Sequence, residues 1–223
     1  MNTVLVQELQ RYNRLLSTVR QSLTDIRAAI RGLIVMNDEL EAGFGSLFNN
    51  QVPQAWDVVS YPSVRPLASY MADLVLRLQY FAEWNNHGPP AVFWLPGLFF
   101  TQSFLTGSLQ NYARKNTIPI DTLGFRFEVL AEDDPRAAGS SVTKPADGVL
   151  VKGMYLEGAR WDFDTMMLGE SAPAVLFTPA PTMWMLPCIE DEAEHPPHYD
   201  CPLYKTPARW GTLSTTGHST NFV

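Results

Sequence analysis

Four side chains of metal-binding type fall within fourteen residues near the C-terminal end: Cys188, His195, His198 and Cys201. Two thiolates and two imidazoles match the ligand number and softness of a tetrahedral zinc site. The spacing argues otherwise. The Cys-x₂₋₄-Cys and His-x₃₋₅-His pairs that usually present such ligands are missing, and Pro196-Pro197 stiffens the link between the two histidines. Glu190, Asp191, Glu192 and Glu194 surround them as in a solvated acidic loop. A surface loop is the first reading, with a small metal-assisted enzyme or zinc-stabilised module as its alternative.

Other reactive groupings are weaker. Asp200, Ser214 and His218 supply the residue types of a hydrolytic triad, but a triad is defined by geometry, and a polar turn accounts for them equally. Glu157, Arg160 and Asp162 could line a polar cleft or form local ion pairs on an exposed hairpin, the second being expected. Trp161, Trp184 and Trp210 would bind a sugar or a partner if exposed, although core packing is their default role. No Gly-x-x-x-x-Gly-Lys-Ser/Thr loop, nucleophile elbow, His-Glu-x-x-His, EF-hand loop or Cys-x-x-Cys occurs, so no metal or nucleotide is assigned to this chain itself.

The elements that must position these residues follow from composition and periodicity. Among 223 residues, 46% are hydrophobic and 17% charged, which excludes a disordered tail and predicts a chain that buries most of its surface. The net charge of −7 argues against nucleic acid as a partner. The first thirty residues intersperse Gln, Glu and Arg among apolar positions, unlike a secretory leader, so a reduced, cytosolic chain with free thiols is expected. From Trp84 to Ala113 there is no Asp, Glu, Lys or Arg, yet Pro89, Pro90, Pro96 and Gly97 interrupt the run. It is expected to form a strand, a turn and a helix, with no membrane span.

Leu9, Tyr12, Leu16, Val19, Leu23, Ile26, Ile30 and Leu33 alternate by three and four, predicting a helix over about 5–34 with a narrow apolar seam. Its other faces carry Arg11, Arg14, Arg20, Arg27 and Arg31, a basic surface on an acidic protein. A short helix with Leu40, Phe44, Leu47 and Phe48 follows. Leu67, Met71, Leu74, Leu78 and Phe81 predict a second long helix over about 66–84, started by Pro66. A strand over about 91–95 and a helix over about 98–115 come next, with Gly107 as a site of close packing.

Beyond residue 117 the pattern changes. Leu123, Phe125, Phe127 and Val129 alternate with period two, and 149–159, 175–177, 183–186 and 203–205 read as short strands between Pro and Gly. The fold class predicted is α+β: a helical subdomain over 1–117 followed by a β-rich, barrel-like subdomain over 118–223.

Several long strings then carry a resemblance. Phe93-Trp-Leu-Pro-Gly-Leu-Phe-Phe-Thr-Gln-Ser-Phe-Leu-Thr-Gly-Ser-Leu-Gln-Asn-Tyr-Ala-Arg-Lys115, Tyr155-Leu-Glu-Gly-Ala-Arg-Trp-Asp162 and Cys201-Pro-Leu-Tyr-Lys-Thr-Pro-Ala-Arg-Trp-Gly-Thr-Leu-Ser-Thr-Thr-Gly-His-Ser-Thr-Asn-Phe-Val223 resemble the C-terminal domain of axonemal dynein heavy chains. So do Arg11-Tyr-Asn-Arg-Leu-Leu16, Ile30-Arg-Gly-Leu-Ile-Val-Met36 and the stretch from Trp56 to Pro66. Trp210 departs from the family, where arginine is common, and the family chain usually runs on past Asn-Phe-Val, so a truncated last β edge is expected. The resemblance implies an incomplete antiparallel β-barrel and a non-catalytic role. Upstream AAA+ modules would bind ATP and Mg, the stalk of the parent motor would bind microtubules, and this domain would pack on the AAA+ ring and tune motor output in cilia and flagella. Its implied setting is the cytoplasm, within the cytoskeleton of the ciliary axoneme, with the dynein complex subunits as further partners and no membrane. Arg11, Arg14, Arg20, Arg27 and Arg31 are then the candidates for part of the ring-docking surface.

Overall fold

A computed structural model of the chain describes residues 2–131, 134 and 144–189. Helix α1 (Asn2–Ile30) is closed by Gly32 at φ +71°, a backbone region that glycine enters without penalty. The Gly32 N–H bonds to the Ala29 carbonyl and the Leu33 N–H to the Ala28 carbonyl, the paired pattern of a Schellman end. The helix therefore stops short of the expected residue 34. Helix α2 (Asp38–Phe48) begins where the Asn37 side chain accepts from the Leu40 N–H at 2.9 Å, with Asp38, Glu39 and Glu41 at the positive end of its dipole. A single turn, α3 (Gln54–Asp57), precedes α4 (Leu67–His87), which starts after Pro66 and ends at Gly88.

The charge-free run from Trp84 resolves into strand β1 (Val92–Trp94), a 3-10 turn at Leu95–Gly97 and helix α5 (Thr101–Asn116). No helix among the described residues is long and apolar enough to cross a membrane. Gly107 on α5 does sit at a close approach, since a Cβ there would lie 3.2 Å from Val4 of α1. Helix α5 ends on Thr117 at φ 58°, a left-handed position that strains a β-branched residue. Thr117→Gly is expected to raise stability by about 1 kcal/mol, measured as a higher urea midpoint at unchanged slope.

The β elements are β2 (Leu123–Val129), β3 (Val149–Lys152), β4 (Tyr155–Glu157), β5 (Ala159–Asp162), β6 (Met167–Glu170), β7 (Phe177–Pro179) and β8 (Met183–Ile189). They form a four-stranded sheet ordered β1-β3-β8-β2 and two ribbons, β4-β7 and β5-β6. The α+β class stands, but the sheets described are open and none closes into a barrel. Nor is the main sheet wholly antiparallel, because β1 runs parallel to β3, with Val92 opposite Leu150. This sheet draws β1 from before Thr117 and its other three strands from after it. Pro187, in β8, pairs only with Phe125 of β2. Strand β3 reaches no further along β8 than Met185, so the missing Pro187 N–H breaks no ladder on that side.

Two sequence expectations shift. The stretch 149–159 breaks at Gly153, which has φ +93°, and at Gly158, so it gives parts of three strands. Strand β7 begins at Phe177, leaving Val175 and Leu176 in the connection before it. The segment 203–205 lies outside the described residues.

The main core gathers α1, α3, α4, β1, α5 and the inner strands around a run of aromatic rings. Tyr12 contacts Phe81 at 5.0 Å and Phe99 edge-on at 4.7 Å, and Trp84 meets Phe93, which meets Phe104. Tilted and edge-on ring pairs add about 0.5–1.5 kcal/mol each beyond burial.

Candidate docking surface and the polar knot beneath it

The buried stripe of α1 is Val4, Glu8, Tyr12, Leu15, Val19 and Ile26. It keeps part of the expected seam and loses its end: Leu23 and Ile30 are exposed, and Leu33 is 74% exposed beyond the helix terminus. Ile30 lies five whole turns beyond the buried Tyr12 and so on the same side of the helix, so its exposure reflects how far the packed cover extends along α1.

The five arginines are all exposed, but they do not share a face. At 3.6 residues per turn, Arg20 lies two and a half turns beyond Arg11 and so points the opposite way. Arg11 and Arg14 occupy one flank, with Asp25, which accepts from the Gln21 amide at 2.9 Å. The Arg11 guanidinium lies 5.2 Å from the Phe100 ring and so is engaged within the domain. Arg20, Arg27 and Arg31 occupy the other flank, beside Leu23 and Ile30. None of these three has an ion-pair partner among the described residues. After Arg31 the chain presents Leu33, Ile34, Val35 and Met36 in succession, with Val35 87% exposed.

Beneath this surface lies a polar knot that holds α1 in place. Glu8, 1% exposed, accepts from the Phe99 N–H at 2.6 Å and the Phe100 N–H at 3.1 Å, the backbone donors of the two residues that lead into α5. Four residues on, Tyr12 donates to the Gly97 carbonyl at 2.7 Å. From α4, Arg77 donates through Nε to Asp73 at 2.7 Å and through a terminal nitrogen to the Pro96 carbonyl, with its guanidinium 3.8 Å from the Tyr61 ring. The bonds from Glu8, Tyr12 and Arg77 converge on residues 96–100, which join β1 to α5. Burial alone would lower the Arg77 pKa, yet its contacts with Asp73 and Tyr12 outweigh this and raise it.

The knot can be tested at two points. Glu8→Leu leaves both backbone donors without an acceptor and is expected to cost about 3 kcal/mol, whereas Glu8→Gln, which keeps one acceptor oxygen, costs roughly half as much, both read from urea unfolding. The second test is alkaline. Burial pushes the Tyr12 hydroxyl up to about 12, against the opposing pull of Arg77, while an unfolded tyrosine ionises near 10. The folded pKa is the higher, so this stabilisation is complete below pH 10 and is lost between pH 10 and about 12. The urea midpoint should fall across that window, and because burial also raises the Tyr61, Tyr70 and Tyr80 hydroxyls, Tyr12→Phe should lessen the fall without abolishing it.

The metal-type grouping is represented here by Cys188 alone, a half-buried free thiol on β8 opposite Gly124. His195, His198 and Cys201 lie outside the described residues, as do Asp200, Ser214, His218 and Trp210. Among the described residues no group of three His, Cys, Asp or Glu is placed to hold a metal ion. Glu157, Arg160 and Asp162 lie on the ribbons. Asp162 accepts from the Asp164 N–H at 3.0 Å, a bond that lowers its pKa and closes the β5–β6 turn. Trp161 and Trp184 are half-buried, so neither is an exposed binding platform. The helix seams did not point to Glu8, Asp73 and Arg77 as members of the core. The available signal was Asp73 and Arg77, a carboxylate and a guanidinium one turn apart on the stripe of Leu74 and Phe81.

Helices tied together by buried polar groups and packed on an open sheet define an α+β domain. The chain belongs to the family described as the C-terminal domain of the dynein heavy chain, whose profile matches residues 1–223. Over all 223 residues it is 53% identical to human dynein axonemal heavy chain 3, 52% to human dynein axonemal heavy chain 12 and 51% to mouse dynein axonemal heavy chain 1. The chain spans only 5%, 7% and 5% of the lengths of those relatives, respectively.

Proposed function

We propose that this chain is a non-catalytic domain of an axonemal dynein heavy chain, packed on the AAA+ ring of the same polypeptide and tuning its output. ATP and Mg are bound by the ring, microtubules by another part of the motor, and the setting is the ciliary or flagellar axoneme. The observation that carries this reading is the match of the whole chain to a C-terminal domain at about half identity, within relatives of which it spans 5–7%. A domain that bridges ring modules alters the cycle only if its contacts differ in free energy between ring states. A difference of about 1.4 kcal/mol shifts a two-state balance tenfold.

The test compares purified heavy chain with and without this domain for microtubule-stimulated ATP turnover and gliding velocity, alongside ATP turnover by the isolated 223 residues. The expected result is a several-fold change in stimulated turnover or velocity, with no turnover by the isolated domain. Unchanged stimulated rates and velocity would remove the tuning role, and steady turnover by the isolated domain would remove the non-catalytic one.

A further inference from the structure

We infer that the arginine row on the second half of α1, together with the apolar elbow that follows it, is the face through which this domain seats on the rest of its heavy chain. This rests on the ring-packing reading and assigns it a surface. The core of the patch is Leu23, Arg27, Ile30, Arg31, Leu33 and Val35. Helix geometry puts the first four on one side of α1, and the elbow continues from its end. Ile30 is 61% exposed, and Leu33 and Val35 more so, in a run of apolar residues that a solvated surface has no reason to collect. Asp38, Glu39 and Glu41 follow the elbow at the start of α2, so the positive charge of this face lies along the α1 row and not on the elbow itself.

Two observations select the occupant. The row is positive and carries no acid of α1 on its flank, so its complement is an acidic surface with an apolar seat. More than nine-tenths of each relative's length lies outside the stretch matched here, and a covalently linked surface is presented at high effective concentration. A second copy of this domain fits less well. A two-fold interface through this face would bring two positive rows into one contact with no acid of α1 between them. The opposite flank is already engaged, because Arg11 lies over Phe100.

The experiment places the photo-cross-linker benzoylphenylalanine at Val35 of the purified full-length heavy chain and, in a separate protein, at Leu176, 71% exposed beside the ribbons. The Val35 probe is expected to link to heavy-chain residues outside these 223. Arg27→Glu with Arg31→Glu should cut the yield at least about tenfold, while Arg14→Glu on the other flank leaves it unchanged. An equal loss with Arg14→Glu, a Val35 link to residues 190–223, or a link between two copies would each overturn the assignment. Links from Leu176 but not Val35 would also overturn it while leaving ring packing intact. Absence of outside links from both probes would remove both.

Discussion

Asp73→Ala is expected to lower folding stability by about 3–5 kcal/mol, an effect large enough to leave a marginal domain partly unfolded at 37 °C. The cost comes less from losing an attraction than from what stays behind. Arg77 is 8% exposed and cannot shed its proton, so without Asp73 its charge is buried beside neutral groups, the Pro96 carbonyl, the Tyr12 hydroxyl and the Tyr61 and Trp94 rings. Arg65 does not substitute for Asp73, being a cation itself, and its 3.8 Å contact with Asp73 is lost as well. The comparison that isolates the mechanism is Asp73→Ala with Arg77→Met. Removing both charges should recover more than half of the loss in urea unfolding, and a double variant as unstable as the single one would refute the buried-charge explanation.

Gly148→Ala should be comparably damaging, at about 3 kcal/mol or more, for a reason that involves no charge. Gly148 has φ +75° immediately before β3, and a Cβ built there overlaps the Met185 carbonyl oxygen on β8, with the Trp184 ring nitrogen also within 3.0 Å. Both obstacles belong to the neighbouring strand, so relief requires β3 and β8 to separate where Val149 faces Met185. Loss of amide-exchange protection at 149–151 and 183–185, with the helical amides less affected, is the expected pattern. Gly32→Ala is the useful contrast. Its φ is also positive, but no atom lies within 4 Å, so only the conformational cost of about 1 kcal/mol applies.

Much of the helical half was legible because its signals are local. Pro66 before α4 acts within one turn of itself, and the spacing of Leu74 and Phe81 needs no partner to be visible. The polar knot was not legible. Glu8 and Phe99 are 91 positions apart, and nothing near Glu8 announces that the start of another helix needs an acceptor. The arginines show the opposite failure. Their number was plain, but counting charges ignores angle, and what was read as one basic surface divides into two flanks once the helix period is applied. In the β half, alternation found β2 but misjudged Phe127, which is 59% exposed. Alternation gives the two sides of a strand and cannot say how far the cover on either side extends.

Trp94 bears on how the whole body responds to load. Its indole fills the space where Gly97 and Gly153 lack side chains, one in the turn after β1 and the other just past β3. The same ring meets Tyr80 of α4 edge-on at 5.9 Å. A joint filled this tightly has no free travel, and packed interiors compress very little. A displacement applied to α4 is therefore passed on to β1 and β3 instead of being taken up at this joint.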